Sequence, residues 1–133
     1  MFETMTVGDT YSETRAFTEA EVVAFAEVSG DKNPVHLDEA FARETVFGQR
    51  IIHGMLAVSH ISKVLGTAFP GEGTIYLGQE VRFRGPIFID QEVRFELEVV
   101  GKRDDKNILT IRTTCVSAEG KPLITGEAVV KVP

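Results

Sequence analysis

The sequence predicts an α+β protein in which an antiparallel sheet of about five strands wraps around one central apolar helix. Before Gly71 the hydrophobic spacing is mostly helical, and after it one strand-like segment follows another. One helical segment carries apolar residues on nearly every side, so it must be buried on most sides. Short polar connections between the later segments favour hairpins, which make neighbouring strands antiparallel.

The chain begins with a predicted strand and a well-marked helix. Residues 8–16 have the character of a short polar strand. Thr18 and Glu21 have the spacing of a capping box, in which each side chain binds a free N–H group at the start of a helix. Gly30 is placed to end that helix, because glycine adopts the left-handed conformation of a helix C-terminus without strain.

The segment that follows Gly30 is predicted to leave the helical conformation at Pro34. Proline lacks a backbone donor and disfavours the helical region for the residue before it, which is Asn33. We therefore predict a loop here. Asp38 is expected to cap a short second helix at 39–44.

The third helix is the predicted centre of the fold. It runs from Met55 to Leu65, opens at His53-Gly54 and is expected to end at Gly66. Its only polar positions are Ser59, His60, Ser62 and Lys63.

The second half of the chain is predicted to form four strands, at 74–84, 91–103, 107–117 and 121–132. The second of them alternates between apolar and charged side chains, as a strand with one face in the core does. The whole chain, 1–133, is expected to form a single domain. A sheet of this kind leaves an edge in need of cover, so we expect a homodimer with its active sites near the subunit interface.

Composition excludes several classes of partner. The formal net charge of −6 argues against binding to nucleic acid or to an anionic membrane. No apolar run reaches the length of a membrane span, and the N-terminus lacks the pattern of a signal peptide. The single cysteine, Cys115, cannot form an internal disulfide. We therefore expect a soluble, cytoplasmic protein.

Asp31 and His36 are the candidate catalytic residues. A carboxylate and an imidazole that meet at one water molecule form a proton-transfer pair, and the pKa of imidazole lies near neutral pH. A bend at Pro34 can turn both side chains toward one point. The alternative is structural, since an Asp after a helix-ending glycine is usually a turn residue and a loop His is usually an ordinary surface residue.

Two short segments carry a family resemblance. They are SGDKNPVH at 29–36 and IHGM at 52–55, and a short helix separates them. They resemble the hydratase motif of the MaoC-like hot-dog family, and in particular its short (R)-specific enoyl-CoA hydratases. The resemblance continues in the same order over nearly the whole chain, at 75–78, at Phe83 with 85–87, and at 126–131.

The resemblance implies an activity and a set of residues. Asp31 and His36 form the catalytic pair, with Ser62 and Asn33 in supporting positions. The family reaction is syn addition of water to trans-2-enoyl-CoA, which gives (R)-3-hydroxyacyl-CoA. One member of the pair deprotonates the water that attacks C3, and the other protonates C2. We favour His36 as the base and Asp31 as the acid, but the sequence leaves this open. The N–H of Gly54 is expected to bind the thioester oxygen.

The resemblance also assigns the substrate contacts. Leu65, Tyr76 and Val130 match positions of the acyl pocket, and their size predicts a short acyl chain of about four to six carbons. Arg84 is assigned to the phosphate of the carrier, because a guanidinium can donate two hydrogen bonds at once. The expected substrate is an acyl-CoA thioester, and the implied role is supply of polyhydroxyalkanoate precursors. No cofactor is expected, and no metal-ligand spacing occurs.

Several of these residues have a purely structural alternative. Gly54 can serve helix packing, and the Ser62 hydroxyl can bond to its own helix. Arg84 can belong to a solvated strand face. His53 either reaches the pocket or holds the helix entry through a backbone hydrogen bond.

Three other functions share the predicted fold. The first is a dehydratase that runs the reverse reaction on a 3-hydroxyacyl carrier protein, and the second is a thioesterase that attacks the carbonyl. The third is a non-catalytic module that binds acyl thioesters. The joint presence of Asp31, Asn33 and His36 favours an enzyme over such a module.

Overall fold

The computed structural model describes residues 1–133 and confirms the predicted α+β class. Five strands form one antiparallel sheet in the order β1-β3-β4-β5-β2. The strands are β1 (Thr10–Arg15), β2 (Ile75–Phe83), β3 (Val93–Arg103), β4 (Ile108–Ser117) and β5 (Pro122–Lys131). The helices are α1 (Glu19–Ser29), α2 (Pro34–Leu37), α3 (Glu39–Arg43) and α4 (Gly54–Thr67), after a short 3-10 helix at Phe2–Thr4.

The core lies between α4 and one face of the sheet. Alternate residues of β3 are fully buried, as the period of two predicts, and they form one apolar cluster with the inner side of α4. The helix contributes Leu56, Ala57, Ile61, Val64 and Leu65 to this cluster. Full burial of each large apolar side chain stabilises the fold by about 1.5–3 kcal/mol. None of the helices is long and apolar enough to cross a membrane.

Helix α1 begins and ends where the sequence predicts. The Thr18 hydroxyl accepts from the N–H of Glu21 at 3.1 Å, and the Glu21 carboxylate accepts from the N–H of Thr18 at 2.9 Å. Gly30 follows the helix in the left-handed conformation, with φ at 79°. This cap fixes the point at which the chain turns toward Asp31.

Two local predictions were wrong. The segment after Pro34 is not a loop but the single helical turn α2, in which proline occupies the first position. A missing N–H costs nothing there, because the first residues of a helix have no intrahelical acceptor. Helix α4 also passes through Gly66 and continues to Thr67. Its buried neighbours Val64 and Leu65 pack in the core, and such packing overrides the poor helix propensity of glycine.

A polar cluster around the buried His60 ties the edge strand β1 to α4. His60 is buried, and its Nδ1 accepts from the Arg15 guanidinium at 2.9 Å. The other ring nitrogen lies 3.1 Å from Glu13 Oε1, and Lys63 contacts the same carboxylate. Because Nδ1 is an acceptor, the proton of the neutral ring lies on Nε2 and faces Glu13. Burial, and then the charge of Arg15, lower the pKa of His60 below its ordinary value, while Glu13 opposes the shift.

We expect the free energy of unfolding to decrease on acidification because of His60. A histidine with a lowered folded pKa binds its proton more readily in the unfolded chain, so stability is lost as the pH falls below about 6.5, by at most about 1.4 kcal/mol per pH unit. Urea denaturation at a series of pH values measures how the free energy of unfolding depends on pH in the wild type and in His60→Gln. His36 is common to both proteins, so an equal pH dependence in the two would contradict the assignment to His60.

Candidate active site

The loop after α1 holds Asp31 through a short series of local hydrogen bonds. The Ser29 hydroxyl donates to the carbonyl of Phe25 at 2.6 Å and accepts from the N–H of Asp31 at 3.0 Å. Asp31 Oδ1 accepts from the N–H of Asn33, and Asn33 Oδ1 in turn accepts from the N–H of Val35, both at 3.2 Å. Asn33 is thus the N-cap of the turn α2 that carries His36. Its side chain orients that turn.

His36 is held from the other side by the segment that precedes α4. Its side chain is buried, and Nδ1–H donates to the carbonyl of Ile51 at 2.8 Å. Arg50 Nε donates to the backbone carbonyl of His36 at 2.7 Å, and Arg50 also pairs with Glu19 of α1. A carbonyl can only accept, so the ring proton lies on Nδ1 and the Nε2 lone pair is free to act as a base.

Asp31, His36 and His53 converge at one point. One ring nitrogen or carboxylate oxygen from each lies within 4.8 Å of the others. A single water with hydrogen bonds of about 2.8 Å can bridge groups at this separation. All three residues line the same cavity of about 550 Å³. Its apolar walls are Phe47, Ile51, Ile52, Met55, Phe83, Ile87 and Ile124.

The protein environment favours the neutral form of His36. Burial is the main cause that lowers its pKa, and His53 lowers it further. The hydrogen bond to Ile51 and the charge of Asp31 act in the opposite direction but do not cancel the effect. At neutral pH the imidazole therefore retains the lone pair that a general base needs.

Gly54 lies where a ligand can approach the start of α4. As the first residue of the helix, it has an N–H without an intrahelical acceptor, and the helix dipole adds positive potential there. The ring of Phe83 packs directly over Gly54, and a Cβ at this position would lie 2.5 Å from the Phe83 ring. A larger residue here therefore displaces a wall of the cavity.

Asp31, His36 and His53 are also residue types that bind metal ions. Asp31 with two histidines is a common ligand set. However, the His53 Nε2–H donates to the backbone carbonyl of Asp31 at 3.0 Å, and His36 Nδ1 is engaged by Ile51. The two rings are also stacked, with centroids 3.9 Å apart, so their in-plane lone pairs do not converge well on one ion. The arrangement suits proton transfer better.

The structure places two other predicted residues at different distances from the cavity. Arg84 lies in its wall, exposed to solvent, and its Nε donates to the Thr125 hydroxyl at 3.0 Å. Ser62 lies on the exposed side of α4 and does not line the cavity. The proposed hydrogen bond from Ser62 to its own helix is not present, whereas Ser59 makes one to the carbonyl of Leu56.

The three residues assigned to the acyl pocket lie together, but away from the cavity lining. Tyr76 and Val130 are directly opposed on β2 and β5. Leu65 and Val130 belong to the apolar core, and Tyr76 packs against it with its hydroxyl directed to Gln79. The cavity of this single chain does not reach them, so their assignment remains a prediction.

Two parts of the site were not found from the sequence. The carbonyl of Ile51 belongs to the backbone, and no side-chain pattern signals it. The apolar walls at Phe47, Met55 and Phe83 carry a signal only in combination, because all three are large apolar residues that remain partly exposed in the fold. An exposed large apolar residue at the mouth of a cleft is typical of a ligand site.

Comparisons with known proteins agree with this geometry. The family model for the MaoC like domain matches residues 4–120. The chain is 47% identical over 131 residues to an (R)-specific enoyl-CoA hydratase of Aeromonas caviae, which covers 98% of each chain. It is 43% identical to a protein of the same name from Rhodospirillum rubrum, over 99% of this chain and 91% of the other. It superimposes with a TM-score of 0.95 on the solved (R)-hydratase of A. caviae involved in PHA biosynthesis, at 46% identity over 98% of this chain and 99% of that one.

Proposed function

The chain belongs to the family of MaoC-like domains and has its hot-dog fold, and from this we propose that it is an (R)-specific enoyl-CoA hydratase. It adds water to trans-2-enoyl-CoA and forms (R)-3-hydroxyacyl-CoA. The observation that carries the proposal is the convergence of Asp31 and His36 on one cavity beside the unpaired N–H of Gly54. Supply of these hydroxyacyl thioesters for polyhydroxyalkanoate is the proposed role.

The catalytic water is proposed to lie between Asp31 and His36. His36 Nε2 takes a proton from this water as its oxygen forms the bond to C3. The π electrons of the C2–C3 bond move toward the thioester oxygen, and the carboxyl group of Asp31 delivers a proton to C2. The proton on His36 returns to Asp31 and completes the cycle. Both residues face the cavity from the same side, which supports addition to one face of the double bond.

The thioester oxygen gains negative charge as C3 is attacked, and Gly54 is proposed to stabilise it. Its N–H and the N-terminus of α4 provide a fixed dipole that needs no reorganisation during the reaction. Asn33 supports the pair by capping α2. Ser62 is kept as a supporting residue on the ground of family resemblance.

The carrier and the acyl group are proposed from the residues around the cavity. Arg84 in the wall offers a guanidinium to a phosphate of coenzyme A. Leu65, Tyr76 and Val130 are retained as residues that limit the acyl chain to about four to six carbons. Such a substrate is compatible with the cytoplasmic location that the sequence predicts.

A homodimer is proposed because two neighbouring surfaces lack cover in the single chain. Helix α4 is open along one side, where Met55, Ser59, Ser62 and Lys63 are exposed. The edge strand β2 pairs only with β5, and its apolar residues Ile75 and Leu77 are more than half exposed. Edge strands and apolar patches of this kind are typical of protein interfaces. A partner seated here would also enclose Ser62.

The hydratase activity can be tested with crotonyl-CoA. We expect the enoyl absorbance to be lost without release of free thiol, and chiral analysis to give the (R)-product. Asp31→Asn and His36→Ala should each lower kcat/KM by about 10²–10⁴-fold, as loss of a general acid or base does. A panel of enoyl-CoA lengths then defines the acyl preference.

Asp104→Asn is the matched control for this experiment. It makes the same chemical change to an exposed carboxylate on the β3–β4 hairpin, and its activity should equal that of the wild type. Release of thiol would identify a thioesterase instead. Full activity of Asp31→Asn would exclude the proposed mechanism.

The packing of Phe83 on Gly54 gives a second prediction for activity. Gly54→Ala should lower kcat/KM by about 10- to 100-fold, because the new Cβ displaces the Phe83 ring and with it the bound thioester. In a Phe83→Ala background the new Cβ of Gly54→Ala has no ring to displace, so the loss of kcat/KM should be much smaller. A double-mutant cycle of kcat/KM measures the difference. Equal losses of kcat/KM in both backgrounds would show that the effect of Gly54→Ala does not depend on Phe83.

The oligomeric state can be tested by sedimentation equilibrium. The wild type should have twice the chain mass of 14.6 kDa. Ser59→Arg places a long charged side chain on the open side of α4 and should give monomers with reduced activity. Asp104→Arg adds the same side chain to the exposed β3–β4 hairpin, which is not part of the proposed interface, and should remain dimeric. A wild type that is monomeric at all concentrations would overturn the proposed interface.

A further inference from the structure

His53 is the most buried polar residue of the site, and the proposed reaction does not use it. Its side chain is only 2% exposed. The Nε2–H donates to the backbone carbonyl of Asp31, 22 residues earlier in the chain, at 3.0 Å. The ring stacks on that of His36 at 3.9 Å and contacts Phe25 of α1 at 4.9 Å.

The protonation of the His53 ring follows from its partner. A carbonyl can only accept, so the proton of the neutral ring lies on Nε2. Its Nδ1 is buried and has no hydrogen-bond partner in the protein. A buried polar atom without a partner costs free energy, and few are found in native proteins. An apolar side chain would avoid this cost, so the ring has another reason to be present.

We propose that His53 is a positioning residue whose Nε2–H holds the backbone of Asp31 against His36 and the start of α4. The inference rests on the proposed function, since it assigns a role in that reaction. Through one side chain, His53 links the three groups of the mechanism. It binds the carbonyl of Asp31, stacks on His36 and directly precedes Gly54 in the chain.

The rest of the structure explains why such a link is needed. The other hydrogen bonds of Asp31 are local, to Ser29 and Asn33, and they fix the shape of the loop rather than its distance from α4. His36 is anchored to Ile51, in the segment that precedes α4. The hydrogen bond of His53 therefore holds the Asp31 backbone relative to α4 and to the His36 ring on which His53 stacks. A displacement of about 1 Å at such a site can lower the rate by about 100-fold.

Three substitutions of His53 separate the contribution of its Nε2–H hydrogen bond from that of its aromatic ring. His53→Gln retains an amide donor at the reach of Nε2, His53→Asn has a donor that is too short to reach, and His53→Phe retains the ring without a donor. We expect His53→Gln to keep kcat within about threefold of the wild type, and His53→Asn and His53→Phe to lower it by about 10- to 100-fold. KM should change little, because His53 is only 2% exposed and its contacts are with Asp31, His36 and Phe25. His60→Gln changes a buried histidine that does not line the cavity, and it should retain the wild-type kcat.

A second measurement does not depend on turnover. The chain has only three histidines, so NMR can follow the titration of each ring. All three variants lose the contribution of His53 to the lowered pKa of His36. Burial is the main cause of that lowering, so opening of the loop should bring the pKa closer to its ordinary value in His53→Asn and His53→Phe than in His53→Gln. If His53→Phe does not fold, the comparison of kcat and of the His36 titration between His53→Gln and His53→Asn still tests the proposal.

The outcomes distinguish the two proposals. A wild type that does not hydrate enoyl-CoA refutes the proposed function, whereas the His36 titrations still test the positioning. Equal kcat values and equal His36 titrations in the Gln, Asn and Phe variants would overturn the role of His53. A loss confined to KM would also overturn it, because it would place His53 in contact with substrate.

Discussion

The hydrogen bond between His36 and the carbonyl of Ile51 connects the chemistry of the site to the frame of the sheet. Ile51 forms a bridge with Phe88, and the N–H of Ile52 donates to the carbonyl of Ile87 at 2.8 Å. The acceptor of the His36 proton therefore lies on a segment fixed by the strand-like chain after β2. Because the acceptor is a backbone atom, substitutions at position 51 alter the cavity wall but do not remove the group that sets the tautomer.

The two proposed catalytic residues are held in contrasting ways. His36 is buried, and the only hydrogen-bond partner of its ring is a carbonyl that lies 15 residues away in the chain. Asp31 is exposed, and its side chain is organised by its immediate neighbours. Burial favours the uncharged form of a base. The environment of His36 thus agrees with the role of base that we propose for it.

Sequence-based predictions were correct where the structure depends on near neighbours in the chain and wrong where it depends on distant contacts. The capping box of Thr18 and Glu21 and the alternation along β3 depend on near neighbours, and both were confirmed. The turn after Pro34 is held by hydrogen bonds to the distant residue Ile51, and the passage of α4 through Gly66 depends on core packing; both were predicted wrongly. In the site, the sequence motif identified Asp31 and His36 as the candidate catalytic residues. Part of the cavity wall, at Phe83, Ile87 and Ile124, comes from parts of the chain that are distant from this motif, and the sequence contains no local signal that these residues meet it.

The proposed reactive groups come from one part of the chain, whereas the cavity wall is assembled from that part and from later segments. Asp31, His36 and Gly54 belong to one continuous stretch, which also supplies part of the wall, whereas Phe83, Ile87 and Ile124 come from later segments on or beside the sheet. Substitutions at these later wall positions can therefore change the shape of the cavity without replacing any of the polar groups. Variation there offers a route by which proteins with the same polar groups can differ in the molecules that they accept.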